Sequence, residues 1–171
     1  MQVAAPRIIE ASTPAEFEAA GRLFLDYAVS LGWDLSQGGR LADEIAAPPG
    51  PYAPPEGSLL LAYVDDSPAG VLGLQPVPRD ALLLGVGAES AGELKRLYVA
   101  PEFRGRGIGR ALMLRAEVEA RRRGYDSLVL TTSAEMFPLA QGLYDVLSYG
   151  PGRPYRNDMP WPQIRWMRKA L

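Results

Sequence analysis

Neither cysteine nor histidine occurs in this chain of 171 residues, and lysine occurs only at Lys95 and Lys169. Without thiols there is no disulfide framework, no thiolate nucleophile and no acyl-cysteine intermediate. Without imidazoles there is no Ser-His-Asp triad, and no Cys/His zinc site is expected. Acid–base chemistry falls to carboxylates, tyrosines, the two lysines or water. No apolar run approaches the roughly 20 residues of a membrane span, and the N-terminal MQVAAPRIIEAS lacks the basic segment and apolar segment of a secretory leader. Strong positive charge is missing too: the formal net charge is −2, which gives no basic field for non-specific nucleic-acid binding. These absences point to a cytoplasmic enzyme or binding protein without a metal, a nucleic-acid partner or a membrane partner. The length, with 47% hydrophobic and 22% charged residues, suits one soluble domain over residues 1–171.

What is present reads as mixed strands and helices. Arg7 to Ala11 reads as a first strand. Thr13 then serves as N-cap, with Pro14 at the first helical position and Glu16 closing a capping box, and Phe17, Ala20, Phe24, Tyr27 and Leu31 recur with helical spacing. A shorter helix is predicted over Gly39 to Ala46. APPGPYAPPEG then holds too many prolines for a helix or inner strand and is a loop, either a lid or passive filler. SLLLAYV and AGVLGLQPV flank DDSP as an antiparallel hairpin. Asp80 to Ala91 is ambiguous, with glycines that favour no one element. ELKRLYV reads as a strand, Ile108 to Arg123 as a helix with a stripe of Ile108, Ala111, Leu112 and Val118, and Gly124 as its left-handed terminator before the strand SLVLTTS. A last helix is expected from Phe137 to Leu147, with Thr132 and Glu135 at capping-box spacing, and IRWMRKAL closes the sheet as a terminal strand. With one βαβ unit among these elements, the class is α/β or α+β around one mixed sheet.

The most informative stretch is EFRGRGIGRAL, Glu102 to Leu112, a glycine-spaced turn between a strand and a helix. Such a turn suits an anion, because the first helical N–H groups lack intrahelical acceptors and the peptide dipoles favour negative charge there. A dinucleotide fingerprint fails, since Arg110 stands where the third glycine belongs, and a P-loop fails because no Gly-Lys-Ser/Thr follows. What remains is Arg104-x-x-Gly107-x-Gly109. Together with Leu97-Tyr98-Val99 ending the strand, Pro101, Phe103 before Arg104, Ala111, and the downstream AQGLYDVLSY, this resembles the GNAT superfamily of acyl-CoA N-acyltransferases.

The resemblance implies a GNAT-like fold: a central mixed, mostly antiparallel twisted sheet of about six to seven strands flanked by about four helices. It implies acetyl-CoA as cosubstrate. The pyrophosphate would lie on the turn Arg104, Gly105, Arg106, Gly107, Ile108, Gly109 and Arg110, and the pantetheine arm on the backbone of Leu97, Tyr98 and Val99, an unpaired strand edge used as in β-augmentation. The glycines permit close backbone approach, and the three arginines can add charge-assisted hydrogen bonds or stand as plain solvated charges. By family position Tyr144 is the candidate acid facing the thioester sulfur, against a plain reading as a core tyrosine. Glu93 is the candidate base, against a reading as an exposed strand charge or an ion-pair partner of Lys95 or Arg96. Glu89, Asp34 and Asp158 are alternative carboxylates that spacing does not separate from surface acids.

The chain departs from the family pattern at Ser148-Tyr149, where Gly-Phe is usual, so the last helix is expected to run on to Gly150. It departs again at Met136-Phe137-Pro138, where a small polar group is common, which puts one coenzyme contact in doubt. The resemblance implies an acceptor that is a primary amine on a small molecule or peptide. The first helices, the Pro-rich loop Pro48 to Pro55 and the loop with Tyr149, Tyr155 and Trp161 are expected either to enclose it, as such regions do in similar proteins, or to pack the core, the use expected of Trp161 and Trp33. Acidic walls would favour polyamines or aminoglycosides, and arginines such as Arg153 and Arg156 would favour amino-acid carboxylates. Dimers are common among similar proteins. Two other readings compete: a non-catalytic acyl-CoA-binding or sensing module, and an RNA-binding module using Arg121 to Gly124, which the net negative charge and the absence of an RNP-like aromatic motif oppose.

Overall fold

A computed structural model describes residues 5–78, 80–81, 90–156 and 162–171. Its strands are β1 (Arg7–Glu10), β2 (Ser58–Val64), β3 (Ser67–Pro76), β4 (Ala91–Val99), β5 (Ser127–Ser133), β6 (Gly150–Pro151) and β7 (Ile164–Ala170), and its longer helices are α1 (Pro14–Ser30), α2 (Arg40–Ala46), α3 (Ile108–Arg122) and α4 (Pro138–Val146). The seven strands form one sheet in the order β1-β2-β3-β4-β5-β7-β6. Every neighbouring pair is antiparallel except β4 and β5, the two strands that α3 connects. This is the mixed, mostly antiparallel sheet that the family resemblance implies.

The period-two alternation of β2 sends its side chains to two separate cores. Leu59 and Leu61 join Val71 and Tyr98 beneath Phe24 and Tyr27 of α1, whereas Leu60 joins Leu72, Leu74 and Leu128 beneath Leu112 and Met113 of α3. The α1 capping box forms as expected. The Glu16 amide donates to Thr13 Oγ1 at 3.3 Å, and the Thr13 amide donates to Glu16 Oε2 at 2.9 Å. The Pro-rich loop is a packing element. Tyr52, inside it, is wholly buried, and its ring fills the space opposite Gly73, where an added Cβ would lie 2.4 Å from a ring carbon.

Three local expectations are corrected. Val118 does not belong to the buried stripe of α3 but is 48% exposed, and the apolar face runs instead through Ile108, Leu112, Met113, Ala116 and Ala120. Glu119 is buried among them because Arg115 and Arg123 donate to it at 2.9 and 2.6 Å. Arg123 also pairs with Glu10, and Arg122 with Glu119 at 3.3 Å, so two arginines of the Arg121–Gly124 run brace the fold. At α4 no Thr132–Glu135 box forms. Ser133 Oγ instead accepts from the Met136 amide at 3.2 Å and donates to the Pro162 carbonyl at 2.7 Å, and the helix begins at Pro138.

The same helix does not run on to Gly150. Ser148 takes the left-handed conformation at φ 64°, with its amide donating to the Asp145 carbonyl and the Tyr149 amide to the Tyr144 carbonyl, each at 3.0 Å. That paired arrangement satisfies the last carbonyls of the helix. Burial of Leu147 and Tyr149 on either side offsets the roughly 1–2 kcal/mol that a left-handed non-glycine residue costs. Of the ambiguous stretch 80–91, residues 82–89 lie outside the described residues, as do Glu89, Asp158 and Trp161.

Candidate active site

β4 pairs with β3 along its length but with β5 only at Ala91↔Ser127, Gly92↔Leu128 and Glu93↔Val129. Beyond Glu93 the two strands part. The divergence coincides with a bulge in β4: the register against β3 shifts between Val71 and Gly73, and Arg96 sits at φ 60°. A buried network holds that bulge. Arg96 Nε and Nη2 donate to Glu44 of α2 at 2.8 and 3.1 Å, and the Tyr52 hydroxyl donates to the same carboxylate at 2.8 Å. Burial works against the Arg96 charge, but Glu44 outweighs it, and the net effect raises the Arg96 pKa.

The gap between the strands opens into a cavity of about 500 Å³, walled by Leu94 and Leu97 on one side, Leu130 and Thr132 on the other, and Phe137 and Tyr144 from the α4 end. Tyr144 is 8% exposed, and its hydroxyl has no hydrogen-bond partner among the described residues. Burial pushes its pKa above the ordinary tyrosine value, which keeps it protonated at neutral pH. Burial likewise lifts Tyr27, a neighbour in the wall, to about 12.

Past Val99 the chain makes a short 3₁₀ turn, Pro101–Phe103, and then the glycine turn. Gly105 and Gly107 have φ of 75° and 74°, and an added Cβ at either would meet nothing within 4 Å. The need for glycine at these two positions is one of backbone conformation, not of space inside the protein. Gly107 precedes α3 with no side-chain cap, so the amides of Ile108, Gly109 and Arg110 begin the helix without intrahelical acceptors. Arg104 Nε donates back to the Val99 carbonyl at 2.9 Å and Arg106 to the Glu102 carbonyl at 3.2 Å, bracing the turn on both sides. Arg110 is exposed and makes no hydrogen bond or ion pair among the described residues.

The Ile108 side chain is 1% exposed in the α3 core, and the Tyr98 ring packs against Tyr27 with centroids 6.0 Å apart. Leu97 and Val99 pack against the α3 core.

Glu93 is not an exposed strand charge, and it makes no contact ion pair with Lys95 or Arg96, although its charge favours the protonated form of Lys95. It is 3% exposed and accepts from Gln75 Nε2 at 2.7 Å, Tyr155 Oη at 3.0 Å and Arg156 Nη1 at 2.9 Å. It lines the same cavity as Tyr144. Tyr149 and Tyr155 are core residues, at 3% and 4% exposure, and Arg153 is exposed while Arg156 lines the cavity. Asp34 does not line the cavity and accepts from the Ser36 amide at 2.9 Å, whereas Trp33 beside it, expected as a core residue, is part of the cavity wall.

Two features escape sequence reasoning. The Glu44–Arg96 pair joins residues 52 apart in sequence, with no motif to link them. Lys95 lines the cavity two residues after Glu93, and burial lowers its pKa to about 8. Among the described residues no group of three or more metal-ligating side chains is placed to hold an ion, and no described helix is long and apolar enough to cross a membrane.

Known proteins share this fold. Residues 27–149 match the family model described as Acetyltransferase (GNAT) family. The chain is 30% identical over 159 residues to an uncharacterised N-acetyltransferase of Schizosaccharomyces pombe, covering 92% of this chain and 90% of that one. Its fold matches an acetyltransferase of the GNAT family from Staphylococcus aureus, with a TM-score of 0.72 at 19% identity over 98% and 99% of the two chains. It also matches a Salmonella typhimurium acetyltransferase structure that holds its cofactor acetyl-CoA, with a TM-score of 0.70 at 18% identity over 98% and 95%. A split sheet, an uncapped helix behind a glycine turn, and a family match across most of the sequence converge: this chain is an acyltransferase that belongs to the GNAT family.

Proposed function

We propose that this acetyltransferase passes the acetyl group of acetyl-CoA directly to a primary amine while both substrates are bound. The observation that carries the reading is the parting of β4 and β5 after Glu93, with the candidate acid Tyr144 and the candidate base Glu93 lining one cavity. Acetyl-CoA supplies the activated acyl group as a thioester. The residues present suit it: the amides of Ile108, Gly109 and Arg110 are uncapped toward a diphosphate, and Gly105 and Gly107 leave the approach open. The β4 edge at Leu97, Tyr98 and Val99 lies beyond the last β5 pairing and offers main-chain groups to an extended amide-bearing arm.

Tyr144 holds its proton at neutral pH and gives it to the departing sulfur. Glu93 takes the proton that the acceptor amine releases. A carboxylate offers about four lone-pair sites, and the donors Gln75, Tyr155 and Arg156 occupy three of them, which leaves one for a relaying water. The hydrophobic wall of Leu94, Leu97 and Leu130 keeps bulk water from the thioester. No group on the chain is required to carry the acetyl moiety. Replacing Tyr144 with Phe tests the assignment: amine-dependent release of CoA thiol should slow about 100-fold in kcat, while acetyl-CoA affinity, followed by thermal shift, stays near that of the parent. Undiminished turnover would remove Tyr144 from the reaction.

A further inference from the structure

The cavity wall carries one cation, Lys95, that no carboxylate among the described residues contacts directly. Arg40, Lys95, Arg96 and Arg156 line it, and Glu93 is the carboxylate lining it among the described residues. Arg96 is matched from behind by Glu44 at 2.8 Å, and Arg156 by Glu93 at 2.9 Å. Lys95 is different: its ammonium makes no hydrogen bond or ion pair among the described residues, although burial disfavours its charge. Glu93 and Glu44 attract it without touching it, and a partly buried cation that contacts no anion gains from one supplied by a ligand.

Glu93 and Lys95 stand on one face of one strand, since they register with Gln75 and Gly73 across β3. Two residues of strand separate their backbones by roughly 7 Å. One negative and one positive group at that spacing form a bracket for a small zwitterion, with the ammonium toward Glu93 and the carboxylate toward Lys95.

We propose that Lys95 binds a carboxylate of the acceptor, so that the amine acetylated by this protein is an amino acid. The inference rests on the transferase reading above and names its substrate class. A polyamine or aminoglycoside would bring further positive charge against Lys95 and the neighbouring guanidinium groups, at close range and partly out of water. An amino acid instead supplies the anion that the wall lacks, through a charge-assisted hydrogen bond. Its fixed spacing between amine and carboxylate also sets which nitrogen reaches the thioester.

The test uses the intact protein and two readouts. In the first, calorimetry titrates the protein saturated with CoA. In the second, thiol release from acetyl-CoA is followed at steady state. The probes are the twenty L-amino acids, β-alanine and 4-aminobutyrate, each beside its amide, which keeps the amine and removes the negative charge. At least one acid is expected to exceed its amide about tenfold or more in kcat/KM. Lys95→Met should erase that preference, chiefly through KM, and Lys95→Arg should restore part of it. Amides equal to or better than their acids, an acid preference that survives Lys95→Met, or failure of every acid to bind would each overturn the proposal. An acid that binds the parent but not Lys95→Met, without thiol release from any amine, would support the anion site and count against the transferase reading instead.

Discussion

Replacing Glu44 with Gln should be among the most damaging conservative changes in this protein. The Glu44 and Arg96 side chains are 2% and 9% exposed, so solvent screens their attraction little. Glutamine keeps one oxygen for the Tyr52 hydroxyl but turns an amide donor toward guanidinium donors, and Arg96 remains charged with half its acceptors gone. Removing one partner of a buried pair costs about 3–5 kcal/mol, and the retained oxygen puts this case near 3. In a domain of this size, about 2–4 °C of Tm is lost per kcal/mol, so a fall of roughly 6–12 °C is expected. Equilibrium unfolding in urea, followed by far-ultraviolet circular dichroism, measures the loss directly. The double variant Glu44→Gln/Arg96→Met removes the unpaired charge as well and should recover all but about 1 kcal/mol. A single-variant loss under about 1 kcal/mol, or a double variant no better than the single, would refute the claim that charge pairing holds the β4 bulge.

Two further outcomes follow from the site. Gly107→Ala meets open space but must hold φ near 74°, so it should cost about 1–2 kcal/mol in unfolding experiments. It should also reduce the thermal stabilisation given by acetyl-CoA, and full retention of that stabilisation would argue against the turn as the diphosphate seat. Lys95 gives a pH signature. Burial holds its pKa at about 8, below the ordinary lysine value of about 10.4, so between those values the unfolded chain binds more protons than the native one and stability rises with pH. The penalty is therefore complete below about pH 8 and relieved above about pH 10.4. Lys95→Met should accordingly unfold about 1–3 kcal/mol less readily than the parent at pH 7 and lose that advantage by pH 10.5, as urea titrations at the two pH values would show.

Much of the fold was legible because its signals are local. The α1 capping box needs only Thr13 and Glu16, the hairpin needs Asp65-Asp66 between apolar runs, and the glycine turn needs Gly105 and Gly107 at positive φ. Where the reading failed, distant partners had overridden local preference. Ser148 adopts a conformation that serine avoids because Leu147 and Tyr149 are buried around it, and Ser133 takes the role expected of Thr132 because it also reaches the Pro162 carbonyl. Glu93 could be named as the candidate base from its strand, but its neighbours Gln75, Tyr155 and Arg156 came from β3 and the segment after β6.

By itself, the amino-acid order determined the periodicity of the elements, the shape of the glycine turn and the kinds of chemistry open to a chain without cysteine or histidine. These depend on backbone geometry within a few residues and on functional groups that are present or absent. Only the tertiary structure decided which charges are neutralised and which face the cavity: Arg96 pairs with Glu44, Arg156 pairs with Glu93, and Lys95 feels both carboxylates without contacting either. Electrostatic balance is set by distance and burial in three dimensions, and neither is encoded by spacing along the chain.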